Sequence, residues 1–307
     1  MKSALKTLAV IFIMLSLIPL SALMFYDDSN GKFKIYDEDS NKIQTLSPRE
    51  YVIGAVCCEM PPSFHKEALK AQAAAIYTNA VRSSFSGEDF VASVNQKNFK
   101  GYADKEKFEE RWGKNFSVYY EKICTAVDEV LGAVITYDGK PIVAAYHSLS
   151  SGSTESAENV WGESVPYLVA VTSEGDTFNA ELTAQKTFTV KEARKILSEA
   201  FPEAFLPEVD TLILTEAEYS PSGTLTSVMV GNEKTNGQKL RALFSLRSAA
   251  ISFEIKEGNV TFTTKGYGHA VGLSQYGADF MARQGADWKQ ILAHYYKGSS
   301  ILYTEQE

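Results

Sequence analysis

Residues Leu46 to Ser84 read LSPREYVIGAVCCEMPPSFHKEALKAQAAAIYTNAVRSS, and two successive helices are legible in them. Ser47 supplies an N-cap, Pro48 suits the first turn, and Glu50 stands three residues after the serine, as a capping box requires. Pro61 and Pro62 end that helix, because neither donates a backbone hydrogen bond. From Ser63 the alanine-rich run predicts a second, longer helix of high intrinsic propensity. Its small side chains let other elements approach closely, which predicts a position at the centre of the fold.

Between the two helices lies AVCCEMPP, residues 55–62. The chain has three cysteines, Cys57, Cys58 and Cys124. Adjacent cysteines bond to each other only with strain, and no C-x-x-C spacing suggests a metal knuckle or redox pair. Both read as small buried hydrophobes. Glu59 sits at the end of an apolar helix, where desolvation would raise its pKa. Such a carboxyl stays protonated near neutral pH and can act as a general acid. On the residues alone, a helix-terminal glutamate bonded to a loop amide is the better reading.

Working outward, the 307-residue chain carries a formal net charge of −8, with 45% hydrophobic and 22% charged residues. It is long enough for a sizeable core. The acidic balance lacks the cationic footprint of a nucleic-acid binder. It also disfavours a strongly anionic substrate, although a local basic patch is compatible with it. At the N-terminus, Lys2 and Lys6 precede an apolar run from Leu8 to Phe25, and Asp27 and Asp28 follow. The run matches the shortest bilayer-spanning helix, and the leading lysines place the remainder outside the cytoplasm. A cleaved signal peptide would have a shorter core and a small-x-small site, and Ser21-Ala22-Leu23 is a poor one. The sequence therefore predicts a signal anchor over 1–26, a polar stalk over 27–45 with a strand-like FKIYD patch, and a folded domain over 46–303.

Within that domain, VASVNQKNFKGYAD reads as loop or short strands and KEKFEERWGKNFSVYYEKICTAVDEVLG as helix. AVITYDGKPIVAAYHSLSSG reads as a hairpin about a DGK turn. PYLVAVTS reads as a strand, and AELTAQKTFTVKEARKILSEAF as a strand and a short helix. VDTLILTEA, LTSVMVGN, AISFEIKEG and VTFTTKG read as further strands. The predicted class is α+β, mixed helices and antiparallel strands forming a cleft-bearing domain.

The segment Gly266 to Ala278, GYGHAVGLSQYGA, interleaves glycines with polar side chains, which is not a core pattern. Glycine permits positive φ or close backbone approach, and the following helix start offers free amides to an oxygen-rich ligand. A plain strand-to-helix turn is the alternative. His65, His269 and His294 have structural readings. His147 ends a strand and is followed by Ser148, Ser150 and Ser151. No G-x-S-x-G or H-E-x-x-H is present, and three protein ligands for a catalytic zinc are not evident.

Taken in order, these segments resemble the stage II sporulation protein D family and the related amidase enhancers. The resemblance rests on Glu59-Met60-Pro61, EALKAQAAA from Glu67, HSLSSG from His147 and Val160-Trp161-Gly162. It continues through Leu246-Arg247-Ser248, the Gly266 to Ala278 segment, and ILAHYYKG from Ile291. It spans about residues 46–303. It implies a peptidoglycan lytic transglycosylase that cleaves glycan strands stripped of peptide stems, during engulfment in endospore formers. It further implies a location in the mother-cell membrane facing the intermembrane space, with stage II sporulation proteins P and M as partners. The family's catalytic acid falls on Glu59. The glycan-binding positions fall on Gln72, Tyr77, His147, Ser148, His269, Ser274, Gln275 and Tyr276. No cofactor and no metal is expected, since the loop after His147 lacks the cysteines that accompany zinc in some members. Three further departures stand out: Tyr77 where members commonly carry arginine, Ala270 for glycine, and Leu273 for methionine. Two other readings remain, a non-enzymatic glycan-binding activator of a cell-wall amidase, and a thiol enzyme using Cys57 or Cys58.

Overall fold

The computed structural model describes residues 33–85, 91–209 and 213–304. The chain forms two compact units: the first runs to Ala144 and adds Ala286–Ala293 and the segment from Gly298, and the second holds Ala145–Gly285 and His294–Lys297.

In the first unit, β1 (Phe33–Asp37) and β2 (Lys42–Leu46) form an antiparallel hairpin, with β3 (Val91–Val94) parallel to β1. Phe33 and Ile35 are buried, so from residue 33 onward the stretch expected as a stalk is part of the fold. Helix α1 (Pro48–Glu59) begins with the capping box read from the sequence, Ser47 and Glu50 each accepting from the other's backbone amide. Gly54 lets this helix approach Tyr102, since a Cβ there would lie 2.3 Å from the ring. Helix α2 (Lys66–Phe85) is the centre of the unit: Ala68, Leu69, Ala71, Ala73, Ala74, Ala75, Ala80 and Val81 are all buried. Around it pack α1, α4 (Phe116–Asp128) and β4 (Ala133–Tyr137), while α3 (Lys105–Trp112) packs on α4. The hydroxyl of Thr78 receives the Ile135 amide at 2.9 Å, tying α2 to β4. Asn79 grips the backbone of Ala144 twice, donating to its carbonyl and accepting from its amide, each at 2.9 Å. The predicted hairpin is shorter than expected: β5 is Lys140–Pro141 only. The other edge of β4 is completed by a distant strand, Ser300–Tyr303.

In the second unit, β6 (Tyr146–His147) pairs in parallel with Leu273–Ser274, so its sheet partner is the glycine-rich segment. β7 (Thr183–Thr189) leads into a helix over Val190–Ala200 through a second capping box, Thr189 with Glu192. β8 (Leu214–Tyr219), β9 (Leu225–Val230) and β10 (Glu233–Thr235) form one antiparallel sheet. β11 (Ile251–Lys256), β12 (Asn259–Lys265) and β7 form another. Phe244 and Phe262, with ring centroids 4.6 Å apart, lie in the apolar core beside Val190, Leu197, Leu225 and Val260. PYLVAVTS does not form the expected strand. Its polar groups are taken by the preceding loop instead: Val171 accepts from the Thr154 amide at 2.8 Å and donates to the Thr154 hydroxyl at 2.9 Å. The fold class is therefore the expected mixture of helices and small, mainly antiparallel sheets.

The expected membrane localisation needs correction. The apolar run Leu8 to Phe25 lies outside the described residues. Among the described residues no helix is long and apolar enough to cross a membrane. The 20-residue α2 has the length, but it carries Lys66, Glu67, Lys70 and Arg82, and such charges are costly in hydrocarbon.

Candidate active site

Glu59 is the last residue of α1. The helix stops at Met60, whose amide still donates to Val56. Lys122 then fixes the turn after the two prolines by donating to the carbonyls of Pro62 and Phe64, at 2.9 and 2.5 Å. The Glu59 carboxyl is partly buried, and burial raises its pKa above the ordinary 4.5. Among the described residues it takes part in no hydrogen bond and no ion pair. It also stands at a helix C-terminus, where the partial negative charge of the last carbonyls opposes ionisation. A carboxyl with these neighbours is a ready proton donor.

Burial holds the adjacent thiols in the protonated form. Burial pushes Cys57 far above its usual range, with Cys58 and Cys124 adding to the shift. Burial, followed by the Glu59 charge, pushes Cys58 up to about 12. Since the thiolate is the reactive form, both serve as packing beside the carboxyl.

The other expected residues divide between the units. Gln72 and Tyr77 lie on α2 at 0% and 1% exposure. The Tyr77 hydroxyl meets the Thr304 hydroxyl at 3.3 Å and its ring lies 6.3 Å from Phe33, so both are residues of the first unit's interior.

In the second unit the motifs that begin at His147 and at Gly266 are laced together. Leu149 and Tyr267 exchange backbone hydrogen bonds of 3.1 and 2.7 Å, Leu273 donates to Ala145 at 3.0 Å, and Tyr276 donates to Ser148 at 3.2 Å. Two glycines permit this. A Cβ on Gly268 would lie 2.8 Å from the His147 Cβ, and one on Gly272 would lie 2.1 Å from the Ala145 carbonyl oxygen. Ala270 holds φ at +64°, the left-handed conformation that an alanine resists.

His147 and His269 face each other with ring centroids 5.8 Å apart. Burial lowers the pKa of His147 to about 3, helped by His269. Burial, then the Arg241 charge, lowers that of His269 to about 4. Both rings are therefore neutral at physiological pH. His147 Nδ1 donates to the Val271 carbonyl at 3.2 Å, while its Nε2 is buried with no hydrogen-bond partner among the described residues. His269 Nδ1 accepts from the Val271 amide at 3.0 Å. The Trp161 ring also lies by His269, with centroids 5.8 Å apart. Among the described residues no three His, Cys, Asp or Glu side chains gather as a metal site needs.

Ser148 lends its carbonyl to Tyr276, and Ser274 caps the helix Gln275–Arg283 by accepting from the Gly277 amide at 3.2 Å. Gln275 is buried at the start of that helix. The residue that organises this cluster, Asp176, carried no sequence signal beyond a place in a polar loop. Its carboxyl is buried and accepts from the Ser150 amide at 2.9 Å, the Ser150 hydroxyl at 2.5 Å and the Ser274 hydroxyl at 2.8 Å. Burial raises its pKa, and the serine hydrogen bonds pull the other way. Next to it the hydroxyls of Ser173 and Tyr295 meet at 2.8 Å. A separate cavity of about 300 Å³ in this unit is lined by Ser151, Tyr219, Ser222, Ser252 and Lys265, among others, and by none of the expected site residues.

Two features thus stand out: a bare carboxyl at a helix end, and a pair of neutral histidines on a serine-braced loop. The chain belongs to the stage II sporulation protein D family. The family model described as stage II sporulation protein matches residues 36–137, the part of the chain that holds Glu59. Stage II sporulation protein D of Bacillus amyloliquefaciens is 36% identical over 275 residues, covering 87% of this chain and 77% of the relative. Its counterpart in Bacillus subtilis is 32% identical over 272 residues, covering 87% and 78%. The chain is also similar to the amidase enhancer of Bacillus subtilis, at 24% identity over 297 residues, 81% of this chain and 40% of that protein.

Proposed function

We propose that this protein is a lytic transglycosylase of sporulation, acting on peptidoglycan glycan strands from which the peptide stems have been removed. The observation that carries the reading is the Glu59 carboxyl, raised in pKa by burial and bound to no other described residue. Protonated Glu59 gives its proton to the glycosidic oxygen between N-acetylmuramic acid and N-acetylglucosamine. The C1–O bond breaks, and the leaving sugar departs as an alcohol. The muramic O6 then bonds to C1 and its proton returns to the Glu59 carboxylate. The product is a 1,6-anhydro end, no water is consumed, and a second carboxylate of the ordinary glycosidase kind is not obligatory. Family membership supports the sporulation setting. The family resemblance adds stage II sporulation proteins P and M as partners, and an amidase partner fits the chemistry because it would supply the stripped strands.

Mass spectrometry of amidase-treated peptidoglycan tests the assignment. The native protein should release anhydro-ended fragments, and Glu59→Gln should lower the yield by roughly 10²–10⁴, the usual contribution of a general acid. Equal yields from both would overturn it. A second reading, a glycan-binding activator of a separate amidase, is favoured by the similarity to an amidase enhancer. In that case the purified chain releases no anhydro product but accelerates stem removal by the amidase.

A further inference from the structure

The second unit holds two arginines that its acids leave largely uncompensated. Arg241 lies on the helix Gly237–Leu243. Among the described residues its guanidinium has no hydrogen bond and no ion pair. Its charge is felt by His269 and by the Tyr267 phenol. The Arg247 guanidinium lies over the Tyr267 ring, 4.9 Å from its centroid. Its Nε is buried without a hydrogen-bond partner among the described residues. The acid that approaches it, Glu181, stands 3.6 Å away and is 77% exposed at its side chain, so solvent screens the pair. Gln238, one helical turn before Arg241 and on the same face, also keeps a buried Nε2 without a partner. Unmet buried donors cost roughly 1–3 kcal/mol each, and here one belongs to Arg247 and the other stands a helical turn from Arg241, in a chain of net charge −8. The aromatic neighbours are open: Tyr267 is 50% and Trp161 46% exposed, and Trp161 lies against the same His269 that feels Arg241.

Ring contacts join Trp161 to His269 and Arg247 to Tyr267, residues 267 and 269 are two apart in the chain, and the Arg241 charge is felt at both. Exposed rings offer flat faces to the C–H face of a sugar, as amphipathic aromatics do at wet binding surfaces. Guanidinium groups pair with carboxylates through two parallel hydrogen bonds. We infer that Arg241 and Arg247, with Gln238 and the rings of Tyr267 and Trp161, form a subsite for a sugar that carries a free carboxylate. The identity of that sugar rests on the proposed function. In peptidoglycan it is the N-acetylmuramic acid residue, whose lactyl group is an amide while the stem is attached and a carboxylate once the stem is gone. The subsite then reads the loss of the stem directly: an amide in its place offers no negative charge and presents a donor to guanidinium groups that can only donate.

The test is a titration of the full chain, followed by the nitrogen-15 resonance of the Trp161 indole, with N-acetylmuramic acid and with its methyl ester. The acid should bind at least about tenfold more tightly than the ester, the size expected for one charge-assisted hydrogen bond. Arg247→Gln and Arg241→Gln should each bring the ratio close to one. Equal binding of acid and ester to the native protein, no binding of the acid, or an undiminished ratio in both variants would overturn the inference. The native comparison needs no variant to fold. The titration also stands apart from the catalytic assignment: retained cleavage in Glu59→Gln defeats that assignment and leaves the ratio untouched. A ratio of one defeats the subsite and leaves the role of Glu59 standing.

Discussion

Glu59 and Asp176 are both carboxyls that burial pushes towards the protonated form, yet their surroundings are opposite. Asp176 is saturated by an amide and two hydroxyls from the Ser150 and Ser274 segments. Glu59 meets no donor among the described residues. A carboxyl with three lone pairs committed holds loops in place, whereas one with none committed is available to a substrate oxygen. The histidines add a contrast in sign. They stay neutral when folded, so acid works against their region, while acid favours the region of Glu59.

The largest expected effect concerns that contrast. Folded His147 and His269 titrate at about 3 and about 4, against an ordinary 6.5. Below pH 6.5 the unfolded chain binds protons that the folded one refuses, so stability is complete above 6.5 and is lost as pH falls towards 4. Loss of on the order of 3 kcal/mol by pH 4 is expected from two such groups, allowing for partial compensation by the acids. His269→Gln should flatten the urea midpoint over this range, and an unchanged slope would break the contrast. Next, Asp176→Ala leaves the Ser150 amide and two hydroxyls without their acceptor and should cost about 3 kcal/mol, read from urea unfolding. A loss confined to glycan cleavage, with stability intact, would give Asp176 a chemical role instead. Glu59→Gln should do the reverse. Its folded pKa is raised, so the ionised carboxyl is a burden at pH 7 that is relieved as pH falls through the folded value towards 4.5. The variant should therefore unfold at higher urea than the native protein at pH 7 and at equal urea below pH 4.5. The smallest effect is expected at Ala270, where glycine would remove the left-handed strain at φ +64°. Ala270→Gly should stabilise by about 1 kcal/mol, a shift of roughly 2–4 °C in Tm by scanning calorimetry.

The first unit was the more legible in sequence. Its helices announce themselves through Ser47, Glu50 and the two prolines, signals that act within a few residues. The raised pKa of Glu59 was legible too, because an apolar helix leads into it and burial follows. The second unit depends on contacts that no local pattern encodes. PYLVAVTS has the composition of a strand, but the Thr154 hydroxyl and the loop before it supply its hydrogen bonds. FKIYD looked too short and too polar in its flanks to be more than a stalk, until β2 and β3 cover both its edges. The family resemblance implied glycan binding by Gln72 and Tyr77, whereas the central position that the alanine-rich helix predicts is the one that buries both. Asp176 gains its meaning only from serines 26 and 98 residues away.

One pairing made far along the chain governs the order of events at birth. Thr136 on β4 meets Ser300 across 164 residues of sequence. At roughly 5–20 residues per second, synthesis takes about 10–30 s to bring the second strand to the first. Through that interval β4 has only the two residues of β5 to pair with, and its other edge is a template for any passing strand. The nascent chain is therefore at most risk of mispairing after the helix that ends in Glu59 has been made and before the Ser300–Tyr303 strand has emerged.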